Sequence, residues 1–195
     1  SHIWFLRGTP SPIGLVLNMT VKNLERIAYF ASYVFLKVDD AKRDQMLADK
    51  EAEFEAAKVA IKARFENEAK DEKADVKALA EAQTKEIEEL TENYEETKTQ
   101  LTSLVLHALV PETDFRNMPD EMQDLVEVGM GGSAIKAMLD TVDLGKLIED
   151  LNKEAIEAKG QRKKKIMKRL RMLENMHRSG IKPNSMCVKV LPVIP

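Results

Sequence analysis

The sequence predicts a mostly α fold with a few short β-strands (α+β), in which a small body carries a long antiparallel coiled-coil hairpin of helices. Three observations predict it. Residues 40–110 contain no glycine or proline and are dominated by Ala, Glu and Lys, which are strong helix formers. Apolar residues recur there at heptad-like spacing. Residues 33–38 are instead β-branched and aromatic, as strands are.

The first 38 residues precede this helical stretch. Residues 1–19 hold two prolines and two glycines, Gly8, Pro10, Pro12 and Gly14, which favour a bent, loop-rich entry. Thr20 can cap a short helix that starts near residue 21. A strand over residues 33–38 follows, and a helix that runs on through them is the competing interpretation.

The helical stretch divides into two arms. Its apolar seam comprises Leu47, Phe54, Ile61 and Phe65 in one arm and Val76, Ile87, Leu90, Tyr94, Leu101 and Leu104 in the other. Residues 67–75 lack a large apolar side chain, so we expect the hairpin tip there, with Asp71 or Asp75 as an N-cap. The alternative is a single rod of roughly 100 Å, against about 45 Å for a hairpin. A narrow apolar seam needs a partner, and the nearest is the helix's own second half.

After Pro111 the pattern becomes mixed again. A short helix or strand is expected near residues 122–126, and the glycine-rich residues 129–133 predict a turn from which a helix starts. No clear strand precedes these glycines and no Lys-Ser or Lys-Thr follows them, which argues against a phosphate cradle. A helix over residues 143–158 is interrupted by Gly160, and a basic helix then runs to about His177.

Two signals mark the end of the chain. Ser179 and Gly180 predict the end of the basic helix. Residues 186–191 are predicted to form a strand that ends at Pro192.

Charge is distributed unevenly along the chain. The formal net charge is −3, yet residues 39–103 hold 19 acidic and 11 basic residues, a balance of −8, which leaves +5 for the remainder. An acidic helical element is therefore inserted into a basic body. Because like charges repel, the acidic element disfavours a nucleic-acid partner.

The basic excess is concentrated in ten residues that contain no acid. The candidate nucleic-acid-binding residues are Arg162, Lys163, Lys164, Lys165, Lys168, Arg169 and Arg171. Such a density attracts a polyanion, and a solvated helix face is the alternative. Ile166, Leu170 and Leu173 recur among them at helical spacing, so one face of this helix is expected to pack.

Several function classes are disfavoured. A single cysteine, Cys187, and three dispersed histidines offer no disulfide framework and no recognisable metal site, and a reducing cytosol is the expected compartment. No apolar run reaches the roughly 18 residues needed to span a bilayer. The first residues do not resemble a secretory signal, and we expect an interior piece of a longer chain. No catalytic constellation emerges, so a stand-alone enzyme is disfavoured.

Blocks of distinctive sequence lie at both ends of the chain. The first is residues 1–11, SHIWFLRGTPS, with Gly14-Leu15 and YFASYV at 29–34. The second is the basic helix of 162–173, the Ser-Gly turn, Lys182-Pro183 and the ending LPVIP. These blocks resemble the N-terminal clamp region of the bacterial RNA polymerase β' subunit, and residues 129–131 and 134–135 are similar to the family's Gly-Met-Gly-Ala-Glu-Ala-Ile. Pro12 and Asn184-Ser185 depart from the family pattern.

The resemblance implies a discontinuous clamp body, residues 1–38 and 111–195, and a lineage-specific helical coiled-coil insertion, residues 39–110. It implies a part in DNA-directed RNA polymerase, a nucleotidyltransferase, with a fragment that is inactive alone. The clamp would help to retain nucleic acid in the main channel. The family's zinc-binding cysteines and magnesium-binding Asp triad fall outside these residues, so no cofactor is expected within them.

The resemblance also implies partners and a location. The partners are the beta, alpha and omega subunits, a sigma factor, and DNA and RNA in the assembled enzyme, with no membrane. The location is the bacterial cytoplasm, associated with the nucleoid. An alternative function is a coiled-coil interaction module, in which residues 39–103 bind a transcription factor or serve a structural role.

Overall fold

A computed structural model describes residues 2–70 and 75–187, with side chains from residue 4 onward. Its helices are α1 (Pro12–Leu17), α2 (Val21–Ala28), α3 (Asp40–Glu68), α4 (Val76–Ser103), α5 (Glu112–Asn117), α6 (Asp120–Gln123), α7 (Gly131–Asp140), α8 (Leu144–Glu157) and α9 (Gly160–Arg178). A π-helical turn, His2–Leu6, and a 3-10 helix, Pro183–Met186, flank them. The strands are β1 (Tyr33–Val38), β2 (Leu109–Val110) and β3 (Val126–Gly129). The predicted mostly α fold with short strands is confirmed.

The described chain forms two compact units. The body unit contains residues 2–36, 109–116 and 128–187, and the hairpin unit contains residues 37–108 and 117–127 with the gap noted above. The strand order is β2-β1-β3, and β1 pairs antiparallel with β2 through Tyr33–Val110 and Val34–Leu109. The domain boundaries expected from the sequence stay a prediction.

The core of the body unit is built by its short helices. The fully buried side chains of this core are Val34 of β1 and eight from helices far apart in sequence, namely Ile13, Val16, Leu24, Ile27, Ile135, Met138, Leu139 and Leu173. Packing of these amphipathic faces, rather than helix propensity, stabilises helices as short as α1 and α2. Because Leu173 belongs to this core, the apolar face of α9 is packed against the other helices of the body unit.

The main feature of the hairpin unit is an antiparallel pair of helices, α3 and α4. Three cross-contacts step along it: Arg43 Nη1 donates to the Leu104 carbonyl at 2.9 Å, Phe54 stacks on Tyr94 with centroids 4.4 Å apart, and Arg64 pairs with Glu86. Contacts that advance along α3 as they retreat along α4 exclude a single rod. The predicted hairpin is confirmed.

Local capping explains where the hairpin helices begin. Asp39 accepts the Lys42 N–H before α3, and Asp75 accepts the Lys77 and Ala78 N–H groups before α4, as predicted for Asp75. At Asp39 the bond from the Lys42 backbone N–H favours the ionised carboxylate and is the largest cause of the lowered pKa of Asp39. Asp71, the other predicted cap, lies outside the described residues.

The prediction of a loop-rich entry was wrong. Ser11 caps α1 by accepting the Gly14 N–H at 3.1 Å, and Pro12 occupies the first turn, where its missing N–H costs nothing. Gly14 permits a close approach, since a Cβ there would lie 2.7 Å from the Met19 carbonyl oxygen. Residues that usually interrupt helices here start one.

Two further predictions concern the part of the chain after Pro111. A strand, β3, does precede the glycine-rich turn, contrary to expectation, and Gly131 then adopts φ +72° at the start of α7. A Cβ on Gly131 would lie 2.7 Å from the Phe30 ring, so this glycine serves packing. The strand predicted at residues 186–191 lies outside the described residues from residue 188, and Met186 itself ends the 3-10 helix.

Candidate nucleic-acid interface

Helix α9 carries all seven predicted basic site residues. It starts at Gly160, whose φ of +60° suits a glycine, and ends at Arg178. The predicted stop is present: the Gly180 N–H reaches the His177 carbonyl, and the Ile181 N–H reaches the Met176 carbonyl. The predicted apolar face is confirmed, because Ile166, Leu170 and Leu173 are all buried. The basic residues therefore occupy the remaining faces.

One outward-facing surface of α9 is lined by six residues, of which four are cationic. We call it the outward groove; it has a volume of about 580 Å³ and is lined by Gly160, Lys163, Lys164, Met167, Lys168 and Arg171. All four of its basic side chains are exposed and have no ion-pair partner among the described residues. Met167, 49% exposed, lies among them. A row of unneutralised cations on one face is complementary to a polyanion.

Arg169 is engaged differently. Its Nε donates to the Leu15 carbonyl at 2.5 Å and its Nη2 to the Val16 carbonyl at 2.9 Å, so the guanidinium satisfies two carbonyls in the last turn of α1. Burial lowers the pKa of Arg169 from its ordinary value, and the neighbouring Glu154 raises it. The side chain stays charged at neutral pH because a guanidinium remains protonated in proteins. These two hydrogen bonds link Arg169 of α9 to α1, so its side chain has a structural role.

The other two predicted residues lie on a second surface. Arg162 Nη2 donates to Glu154 Oε1 at 2.7 Å, which is an exposed ion pair worth little to stability. Lys165 is exposed and has no ion-pair partner in the described part of the chain. Both line a cleft that α9 forms with the turn between α1 and α2. The structure therefore divides the seven residues between two surfaces, and Lys168 lines both.

The sequence analysis did not distinguish the basic residue that contacts the fold, Arg169, from those that line the two surfaces. The signal that bears on Arg169 is its helical phase, because it immediately precedes Leu170 and lies three residues after Ile166. No local signal places residues 18–21 beside α9, since at least 139 positions of the chain separate them from that helix.

Over residues 2–70 and 75–187 no cluster of three or more His, Cys, Asp or Glu side chains is arranged to hold a metal ion. Cys187 is half-buried, and burial raises the pKa of its thiol, which disfavours the nucleophilic thiolate. No helix in the described part of the chain has both the length and the apolar character needed to cross a membrane.

Fold and site together define a helical scaffold segment with a cationic surface and an acidic hairpin. No family model matches the chain. Curated relatives named DNA-directed RNA polymerase subunit beta' do match it over its whole length. The relative from Bifidobacterium adolescentis is 34% identical over 221 residues, and the one from Dehalococcoides mccartyi strain ATCC BAA-2266 is 32% identical over 203 residues. A relative from Caldicellulosiruptor saccharolyticus is 30% identical over 195 residues.

The chain belongs to the family of DNA-directed RNA polymerase subunit beta'. It spans 16%, 15% and 12% of the length of these three relatives, respectively. Each match covers 100% of the chain, so the hairpin lies within the matched region.

Proposed function

We propose that this chain is part of the clamp of a DNA-directed RNA polymerase and that α9 helps to retain nucleic acid in the main channel. The observation that carries the proposal is the outward groove, with four exposed cations and no neutralising acid among its lining residues. Contacts of this kind recognise the phosphate backbone and not the base sequence. The segment's role is thus electrostatic and mechanical.

The chemistry of the assembled enzyme would be nucleotidyl transfer, as the relatives' name indicates. The resemblance implies that zinc and magnesium would be bound by residues outside this chain. The other subunits, beta, alpha, omega and a sigma factor, would supply the remaining surfaces. The location that follows is the bacterial cytoplasm, at the nucleoid.

The hairpin supports an alternative function as a coiled-coil interaction module. Exposed glutamates recur along one side of α4, with Glu88, Glu92 and Glu96 at successive four-residue spacings. Like charges at this spacing destabilise a helix slightly, and they repel DNA. A protein partner or structural support therefore suits the hairpin better than a nucleic acid.

Photocrosslinking in the assembled polymerase tests the proposal. Met167 is the probe position, because a benzophenone-bearing residue there lies in the outward groove and removes no charge. We expect it to crosslink to the nucleic acid of a stalled elongation complex. In the matched control the benzophenone-bearing residue replaces Ile156, which lies on α8 and is 81% exposed. Equal crosslinking yields at the two positions would contradict the proposal.

A further inference from the structure

A cleft on the other side of α9 forms a second cationic surface. This α1–α9 cleft has a volume of about 500 Å³ and lies within the body unit, between the turn that joins α1 to α2 and the facing sides of α8 and α9. Four basic side chains line it, Arg162, Lys165, Lys168 and Arg169, together with a single acid, Glu154. Its walls therefore carry an excess of positive charge.

The existing contacts leave two of these cations available. Glu154 is engaged by Arg162 at 2.7 Å, and Arg169 donates to the α1 carbonyls. Lys165 and Lys168 form no ion pair within the described part of the chain, and both are exposed. The acid is already neutralised, so it does not cancel their charge. An anion that enters the cleft would meet both ammonium groups.

The remaining lining indicates what carries the anion. Leu15, Met19, Val21, Leu151 and Ile166 add an apolar lining, and all five are less exposed than Lys165 and Lys168. A site of this type suits an anionic group attached to a less polar body, such as a phosphate on a sugar. Lysines bind phosphate as point charges and require no planar, bidentate partner.

We propose that the α1–α9 cleft accepts a backbone phosphate of the nucleic acid that the outward groove retains. The inference rests on the proposed function, and Lys168 provides the link, because its side chain lines both the groove and the cleft. A strand that runs along the outward groove thereby passes the mouth of the cleft. The contact extends the retained stretch of backbone beyond the groove.

Single substitutions in the assembled polymerase test this inference. The measurement is the equilibrium binding constant for a nucleic-acid scaffold, plotted as its logarithm against the logarithm of the salt concentration. Lys165→Gln is expected to reduce the slope by about 0.7 to 0.9, the value for one lost phosphate contact. Lys165→Arg keeps the charge and should retain the wild-type slope. Lys146→Gln removes a lysine of α8 that is also exposed, and should leave the slope unchanged.

Lys164→Gln separates this inference from the proposed function, because Lys164 lines only the outward groove. If Lys164→Gln lowers the slope and Lys165→Gln does not, the cleft binds no phosphate and the groove still does. A wild-type slope in both variants would overturn both proposals. Equal reductions of the slope by Lys165→Gln and Lys146→Gln would indicate a general effect of net charge. They would overturn the proposal that the cleft binds a phosphate.

Discussion

Replacing Arg169 by methionine is expected to destabilise the body unit by about 2 to 3 kcal/mol. The substitution removes two charge-assisted hydrogen bonds, to the Leu15 and Val16 carbonyls. Bonds from charged donors contribute roughly 1.5 to 3 kcal/mol each, and partial exposure of Arg169 reduces their sum. Methionine preserves much of the aliphatic packing, so the loss reports the guanidinium.

Arg171→Met is the matched control for Arg169→Met. Arg171 lies two residues further along α9, is exposed, and lines the outward groove. Its replacement should alter the free energy of unfolding by no more than about 0.5 kcal/mol. Hydrogen exchange of the α1 and α9 amides measures the change in the body unit itself. Equal destabilisation by the two variants would show that Arg169 is simply another surface cation.

Leu173→Ala is expected to have the largest effect on stability, about 3 to 5 kcal/mol. Leu173 is 0% exposed and belongs to the same core as Leu24, Ile135 and Leu139. Truncation of a buried leucine loses its transfer free energy and leaves a cavity. Because Leu173 lies on the apolar face of α9, the variant should also loosen the helix that presents the cations.

Met167→Ala provides the comparison for Leu173→Ala on the same helix. Met167 is 49% exposed, so its truncation should cost less than about 1 kcal/mol. Urea-induced unfolding, monitored by hydrogen exchange of the protected α9 amides, distinguishes the two variants. A similar loss in both would mean that α9 is not anchored through Leu173.

Elements with strong local signals could be predicted from the sequence. The helices of the hairpin follow from a stretch free of glycine and proline, their pairing follows from the narrow apolar seam, and the second arm starts where the Asp75 cap predicts. Thr20 caps α2 by accepting the Asn23 N–H, and Gly180 ends α9 with a positive φ. In each case the deciding hydrogen bond or dihedral angle lies within a few residues of the signal.

Features that depend on distant partners could not be predicted in this way. Pro12 and Gly14 suggested a loop, yet α1 is stabilised by a core to which α7 and α9 contribute. The partners of Arg169 lie 153 and 154 positions earlier in the chain. Seven basic residues within ten positions specify a positive charge. They do not specify which side chains contact the rest of the fold, because tertiary packing decides which of them do.

The most direct test of the account concerns the outward groove as a whole. Lys163→Gln, Lys164→Gln, Lys168→Gln and Arg171→Gln are combined in the assembled polymerase, and the salt dependence of nucleic-acid binding is measured. The charge-matched control replaces Lys62, Lys70, Lys77 and Lys85 of the hairpin by glutamine. Loss of the four groove cations should reduce the slope by roughly 3 to 4, and the hairpin control should retain the wild-type slope. An unchanged slope in the groove variant, or equal reductions in both, would contradict nucleic-acid retention by α9.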